Sequence, residues 1–227
     1  MSTWIKVARL NLVRPANYLV WPWILPISFA VGAVTVGRRP PHIASGYLIG
    51  FFLYFAVQGA QTVGQSLPFG LTLGASRRSF YFGTALLGMA LALVSGLVLT
   101  ALQAIERATG GWGLSIRFFR VPYLLNGPWY ATWLTSAVVL FALFIYGMWY
   151  GILWSRWGLL GTLAFLTVGA LVVVAAVVAD SFEHWHVGSA AGGSFTGLTA
   201  LGLTGVVAAL TVLLLAAGHA TIRRAAA

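Results

Sequence analysis

The sequence predicts an all-α, polytopic membrane protein: six transmembrane helices, an N-terminal interfacial helix and both termini in the cytoplasm. Three observations carry that prediction. Hydrophobic residues make up 60% of the 227 and charged residues only 7%, where a soluble domain carries roughly a quarter charged. Several apolar runs exceed the roughly 18 residues that a helix needs to cross a bilayer. The 13 Lys and Arg residues flank those runs rather than fall inside them, as topology signals do. The formal charge of +10 would suggest nucleic acid in a soluble chain. Here it suggests anionic lipid headgroups, and no nucleic-acid partner is expected. With no cysteine in the chain, disulfides and thiolate metal sites are excluded. No stretch remains for a soluble catalytic domain, so 1–227 reads as one transmembrane domain.

The elements follow in order. Residues 1–15 form a basic amphipathic stretch. Trp4, Ile5, Ala8 and Leu12 fall on one side and Lys6 and Arg9 on the other, which predicts a helix lying on the inner leaflet. The stretch is too polar for a cleavable signal. The first span covers 17–37 and carries Trp21, Pro22, Trp23 and Pro26 near its start. The second covers 45–64, the third 79–103, the fourth 129–154, the fifth 158–179 and the sixth 195–218. Trp129, Tyr130 and Trp133 at one end of the fourth span form an aromatic belt with Tyr146, Trp149, Tyr150, Trp154 and Trp157 at the other. Ser155-Arg156 is the turn into the fifth span. Segments 104–127 and 180–194 are expected outside the cell.

Basic residues set the orientation. With the N-terminus inside, Lys6, Arg9, Arg14, Arg77, Arg78, Arg156, Arg223 and Arg224 are inside, against Arg38, Arg39, Arg107, Arg117 and Arg120 outside. The excess favours cytoplasmic termini. All three acidic residues, Glu106, Asp180 and Glu183, then lie outside.

Four features could carry chemistry or packing. Gln58, Gln61 and Gln65 share one face of the second span. They either line a translocation path or bond between helices, at about 1 kcal/mol each. Gly88, Ala92 and Gly96, with Gly147 and Gly151, are small-xxx-small patterns that let helices approach closely. Asp180, Glu183 and His184 share a face near His186. They could help to hold zinc or copper, or Asp180 and Glu183 could form a capping box at the start of a short helix. His184 with Ser189 or Ser194 invites a hydrolase reading, but there is no nucleophile elbow. No Walker A loop occurs, so the chain does not bind ATP in that way. The absence of a charged residue inside any expected span speaks against ion-coupled transport.

The fourth feature organises the rest. Between the second and third spans the chain reads Gly64-x-Ser66-x-Pro68-Phe69-x-Leu71-x-Leu73-Gly74-Ala75-Ser76-Arg77-Arg78-Ser79-Phe80-Tyr81-Phe82-Gly83. Pro68 suits a first helical turn, and Leu67, Leu71 and Leu73 offer an apolar side. A short apolar helix in the cytoplasm usually has something to dock against.

This stretch resembles the loop between spans two and three in small permease subunits of ABC exporters, those with the type-2 membrane domain. The resemblance implies that 64–79 is a coupling-helix loop docked on a separate ATP-binding subunit, through Pro68, Phe69, Leu71, Leu73, Gly74, Arg77 and Arg78. It implies that 1–15 is the connecting helix and that Gln58, Gln61 and Gln65 wall the path. It further implies two ATPase subunits that bind ATP and magnesium, and a second permease chain, identical or paralogous. The expected setting is a bacterial inner membrane. The chain itself would have no enzymatic activity and no cofactor of its own. A channel, scaffold or intramembrane enzyme with a metal site at Asp180 to His186 is the alternative.

Overall fold

A computed structural model describes residues 20–24, 27–28, 46–72, 76–111, 119, 128–184 and 200–224, and for some of these, including 65–71 and 168–184, the backbone alone. Four long helices account for most of them: α1 (Gly46–Thr72), α2 (Arg77–Ala108), α3 (Trp129–His184) and α4 (Ala200–Arg224). The described residues are all-α, as the apolar runs predict. The interfacial helix expected over 1–15 lies outside them, as do Leu73, Gly74 and His186.

α2 has 32 residues, about 48 Å at 1.5 Å per residue. It and the stretch Trp129–Trp154 are long and apolar enough to cross a membrane, and Thr204–Gly218 is a shorter apolar stretch. The sidedness of α2 comes from its sequence. Tyr81, Thr84, Gly88, Leu91, Ser95, Leu99, Gln103 and Glu106 recur at three- and four-residue spacing and are buried. The opposite face shows Leu86, Met89, Leu93, Leu97 and Ile105.

The first part of α3 is the central post, packed against α1, α2 and α4. Glycines set how close its neighbours come. A Cβ on Gly147 would collide with the Ala56 carbonyl oxygen, and one on Gly59 with the Phe144 carbonyl oxygen. On Gly151 it would stand 2.9 Å from the Ala60 oxygen. α1 and α3 therefore touch backbone to backbone, and they run parallel, because the step from Ala56 to Ala60 matches the step from Gly147 to Gly151. On the α2 side, a Cβ on Gly88 would enter the Phe144 ring, and one on Gly96 would lie 3.1 Å from the Ala137 nitrogen. These pairs run in opposite senses, so α2 is antiparallel to α3. The small-residue patterns of the sequence are thus the two seams of the bundle.

The core between the seams is aromatic and aliphatic: Phe51, Phe55, Tyr81, Leu140, Phe144, Ile145 and Met148 are almost wholly buried. Of the expected first span, Trp23 reaches this core with its ring 4.7 Å from that of Phe51.

Four boundaries differ from the sequence reading. The second span was expected to stop at Gly64, with a separate helix opening at Pro68; α1 instead continues through Pro68 to Thr72. Proline's fixed φ is compatible with the helix, but here, away from the first turn, it costs the hydrogen bond to the Gly64 carbonyl and crowds that oxygen with the ring. The expected turn at Ser155-Arg156 is helical, and the break falls at Gly158, at φ 58° and ψ −143°. That region is open to glycine and strained for other residues. α2 runs past Gln103 to Ala108 and takes in Glu106, ending at Gly110 and Gly111 with φ of 63° and 87°. Asp180 is interior to α3, not the cap of a new helix.

Candidate functional site

The sequence singles out the end of the bundle where α1 leaves and α2 begins. Here Ser76 caps α2: its hydroxyl accepts from the Ser79 amide at 3.1 Å and pairs with the Ser79 hydroxyl at 2.8 Å. Such a cap satisfies an amide that the first turn leaves orphaned. Arg77 and Arg78 follow in that first turn and are exposed. Cations there oppose the helix dipole, so helix stability does not account for them. The Arg78 guanidinium lies 6.0 Å from the centre of the Phe82 ring, within cation–π range.

The three glutamines do not behave alike. Gln58 is 2% exposed and faces the bundle. Gln61 is exposed, and the side chain of Gln65 lies outside the described residues. Thr62 donates to the Gln58 carbonyl at 2.7 Å, one turn back along α1. The single polar face expected of these residues is split between interior and surface. Pro68, Phe69 and Leu71 lie on the backbone of the last turns of α1.

One turn into α2, Tyr81 is 1% exposed and donates its hydroxyl to the Leu215 carbonyl of α4 at 3.0 Å. Trp149 of α3 donates its indole N–H to the adjacent Leu214 carbonyl at 2.9 Å. Gly218 lies beneath both: a Cβ there would collide with the Tyr81 oxygen and stand 3.2 Å from the Trp149 nitrogen. The sequence places Trp149 in the aromatic belt, but its polar end turns inward. Trp154 and Trp157, 50% and 54% exposed, keep the outward position.

The opposite end of the bundle is polar inside. Ser95, Thr100, Gln103, Thr132, Thr135, Ser136 and Thr204 are all buried there. Thr135 and Thr204 share a hydrogen bond of 2.8 Å between α3 and α4, and Trp133 donates to the Leu93 carbonyl of α2 at 3.1 Å. Glu106 closes this end. It is 3% exposed and accepts from the Phe119 amide at 2.8 Å, which ties the segment after α2 back onto the helix.

Sequence reasoning missed Tyr81, Trp149, Gly218 and Glu106 as a group. The one available signal for Glu106 was its spacing: it continues the buried three-and-four series of α2. Asp180, Glu183 and His184 share the last turns of α3, where the backbone alone is described. Among the described residues no group of metal-ligating side chains converges. The chain matches no protein-family model, no curated protein and no solved structure.

Proposed function

We propose that the chain is the membrane-spanning permease subunit of an ABC exporter, in a bacterial inner membrane. In this reading the chain crosses six times with both termini inside. Its 64–79 segment docks on a separate ATP-binding subunit. Two permease chains and two ATPases make the working unit, and ATP and magnesium bind to the ATPases.

The observation that carries the reading is the overhang of α1. A helix of 27 residues is about 40 Å long, against about 30 Å of bilayer hydrocarbon. In this reading the start of α1 lies in the hydrocarbon and the excess falls at the Pro68 to Thr72 end, beside the exposed pair Arg77-Arg78. A protruding helical end next to exposed cations suits a cytoplasmic docking element, because Lys and Arg gather on the cytoplasmic side. Two further points support it. α2 exposes a face of Leu, Met and Ile, which water would penalise and lipid would not. α4 runs with α3, since Thr135 meets Thr204 and Trp149 meets Leu214; with α1 in the same sense and α2 opposite, the directions agree with second, third, fourth and sixth spans.

The test is co-purification. The chain is tagged at its C-terminus, solubilised from its native membrane in mild detergent, and probed for a soluble ATP-binding protein whose ATPase rate depends on it. Leu71→Asp combined with Gly74→Pro is expected to abolish that association and leave membrane insertion intact. If the doubly substituted chain still carries the ATPase, the docking assignment is wrong.

A further inference from the structure

We propose that Tyr81, Trp149 and Gly218 form a mechanical clasp that makes the end of α4 follow the start of α2. The geometry has three parts. Tyr81 comes from α2 and Trp149 from α3, and they hold the neighbouring carbonyls of Leu215 and Leu214, at 3.0 and 2.9 Å. Gly218 provides the notch, because any Cβ would occupy the place of the Tyr81 hydroxyl. Thr135 and Thr204, bonded at 2.8 Å, hold the same helix nearer its other end. α4 is therefore gripped at two levels.

The chemistry of the grip suits movement. Each held carbonyl also serves the helix ladder, and a carbonyl oxygen has two lone pairs. Releasing the side-chain donors leaves α4 intact and no acceptor orphaned. The clasp can open without melting the helix it holds, at the cost of parting the Tyr81 hydroxyl and the Trp149 N–H from those carbonyls. Its position decides what it transmits. Tyr81 lies four residues after Arg77, where α2 starts, on the face of α2 turned to α4. A push on the connection between α1 and α2 reaches Tyr81 within one helical turn and passes to α4 through one hydrogen bond. Trp149 holds the same point to the central post, so α2 cannot shift while α4 stays behind unless the grip breaks.

The source of the push rests on the exporter reading above. The clasp itself does not, because it can be measured with no ATPase present, so either idea can fail alone.

The chain has no cysteine, so labels can be placed freely. Leu97 on α2 and Leu213 on α4 are 53% and 64% exposed and accept a spin label without entering the core. Pulsed spin–spin distances are recorded between cysteines at these positions, in the full chain in nanodiscs. The intact clasp is expected to give one narrow distance. Tyr81→Phe with Trp149→Phe removes both donors, and a second, longer population is expected. Hydrogen exchange at the amides of 214–224 is expected to stay low in the same variant, because the ladder of α4 remains closed when the side-chain donors are removed. Tyr81→Phe alone, which deletes one oxygen, is expected to give a smaller shift in the same direction, and it decides the matter if the double variant does not fold. An unchanged narrow distance in the variant that folds overturns the proposal.

Discussion

At Gly147 and Gly64 the same change has opposite consequences, because of what a methyl group would meet. At 147 it would strike the Ala56 carbonyl; at 64 nothing lies within 4 Å. Gly147→Ala is expected to destabilise the bundle by about 1–3 kcal/mol, the usual cost of overpacking. Gly64→Ala is expected to stabilise it by about 0.5–1 kcal/mol, through helix propensity alone. Thermal unfolding in detergent would compare the two, and a loss in both would mean that position 64 is also packed. Glu106 follows similar logic. Glu106→Gln keeps an oxygen to accept the Phe119 amide, whereas Glu106→Ala leaves that donor without it, at about 1–3 kcal/mol. The alanine variant should unfold earlier than the glutamine variant; equal midpoints would show that the Phe119 contact contributes nothing.

Among the elements, α1 and α2 both differ at their ends from what the sequence suggested. Apolar length was legible because it is a sum over many residues, and a sum tolerates local ambiguity. Ends depend on one residue each. Pro68 is compatible with a helix start and with a helix interior, and only the packing of its neighbours decides. Ser76 and Ser79 could have been read as a cap, but Arg77-Arg78 drew the boundary to 79 instead. Two experiments belong here. Ser76→Ala should cost about 0.5–2 kcal/mol and raise hydrogen exchange in the first turn of α2; exchange unchanged at Arg77 to Phe80 would mean that the cap is idle. Pro68→Ala should restore a bond to the Gly64 carbonyl and slow exchange over 64–72.

At the scale of the whole molecule, the small-residue patterns were legible as close helix contacts, but which helices met was not. Gly147 and Gly151 meet α1, while Gly88 and Gly96 meet α3, and sequence spacing carries no partner. The split between Gln58 and Gln61 was hidden for a related reason. Gln58 and Gln61 are three apart, on one face by periodicity, yet the line between interior and surface passes between them. The bilayer reading makes its own prediction. Spin labels at Leu97 and Leu213 should be relaxed by oxygen, which dissolves in lipid, and shielded from a water-soluble nickel chelate. Strong relaxation by nickel would place those faces in water.

The backbone contact of α1 with α3 has one more consequence. Helices that meet through side chains can slide or roll by exchanging rotamers. Two that meet through Gly147 at Ala56 and Gly59 at Phe144 have no such play, because any slip drives a Cβ into a carbonyl. Over that length the pair is a single stiff beam. What projects from it, the eight residues after Gly64, is a crank of about 12 Å. A force at its tip would act on both helices of the beam together. Pro68, halfway along, lacks the bond to the Gly64 carbonyl, so the crank is weaker there and torque can be lost.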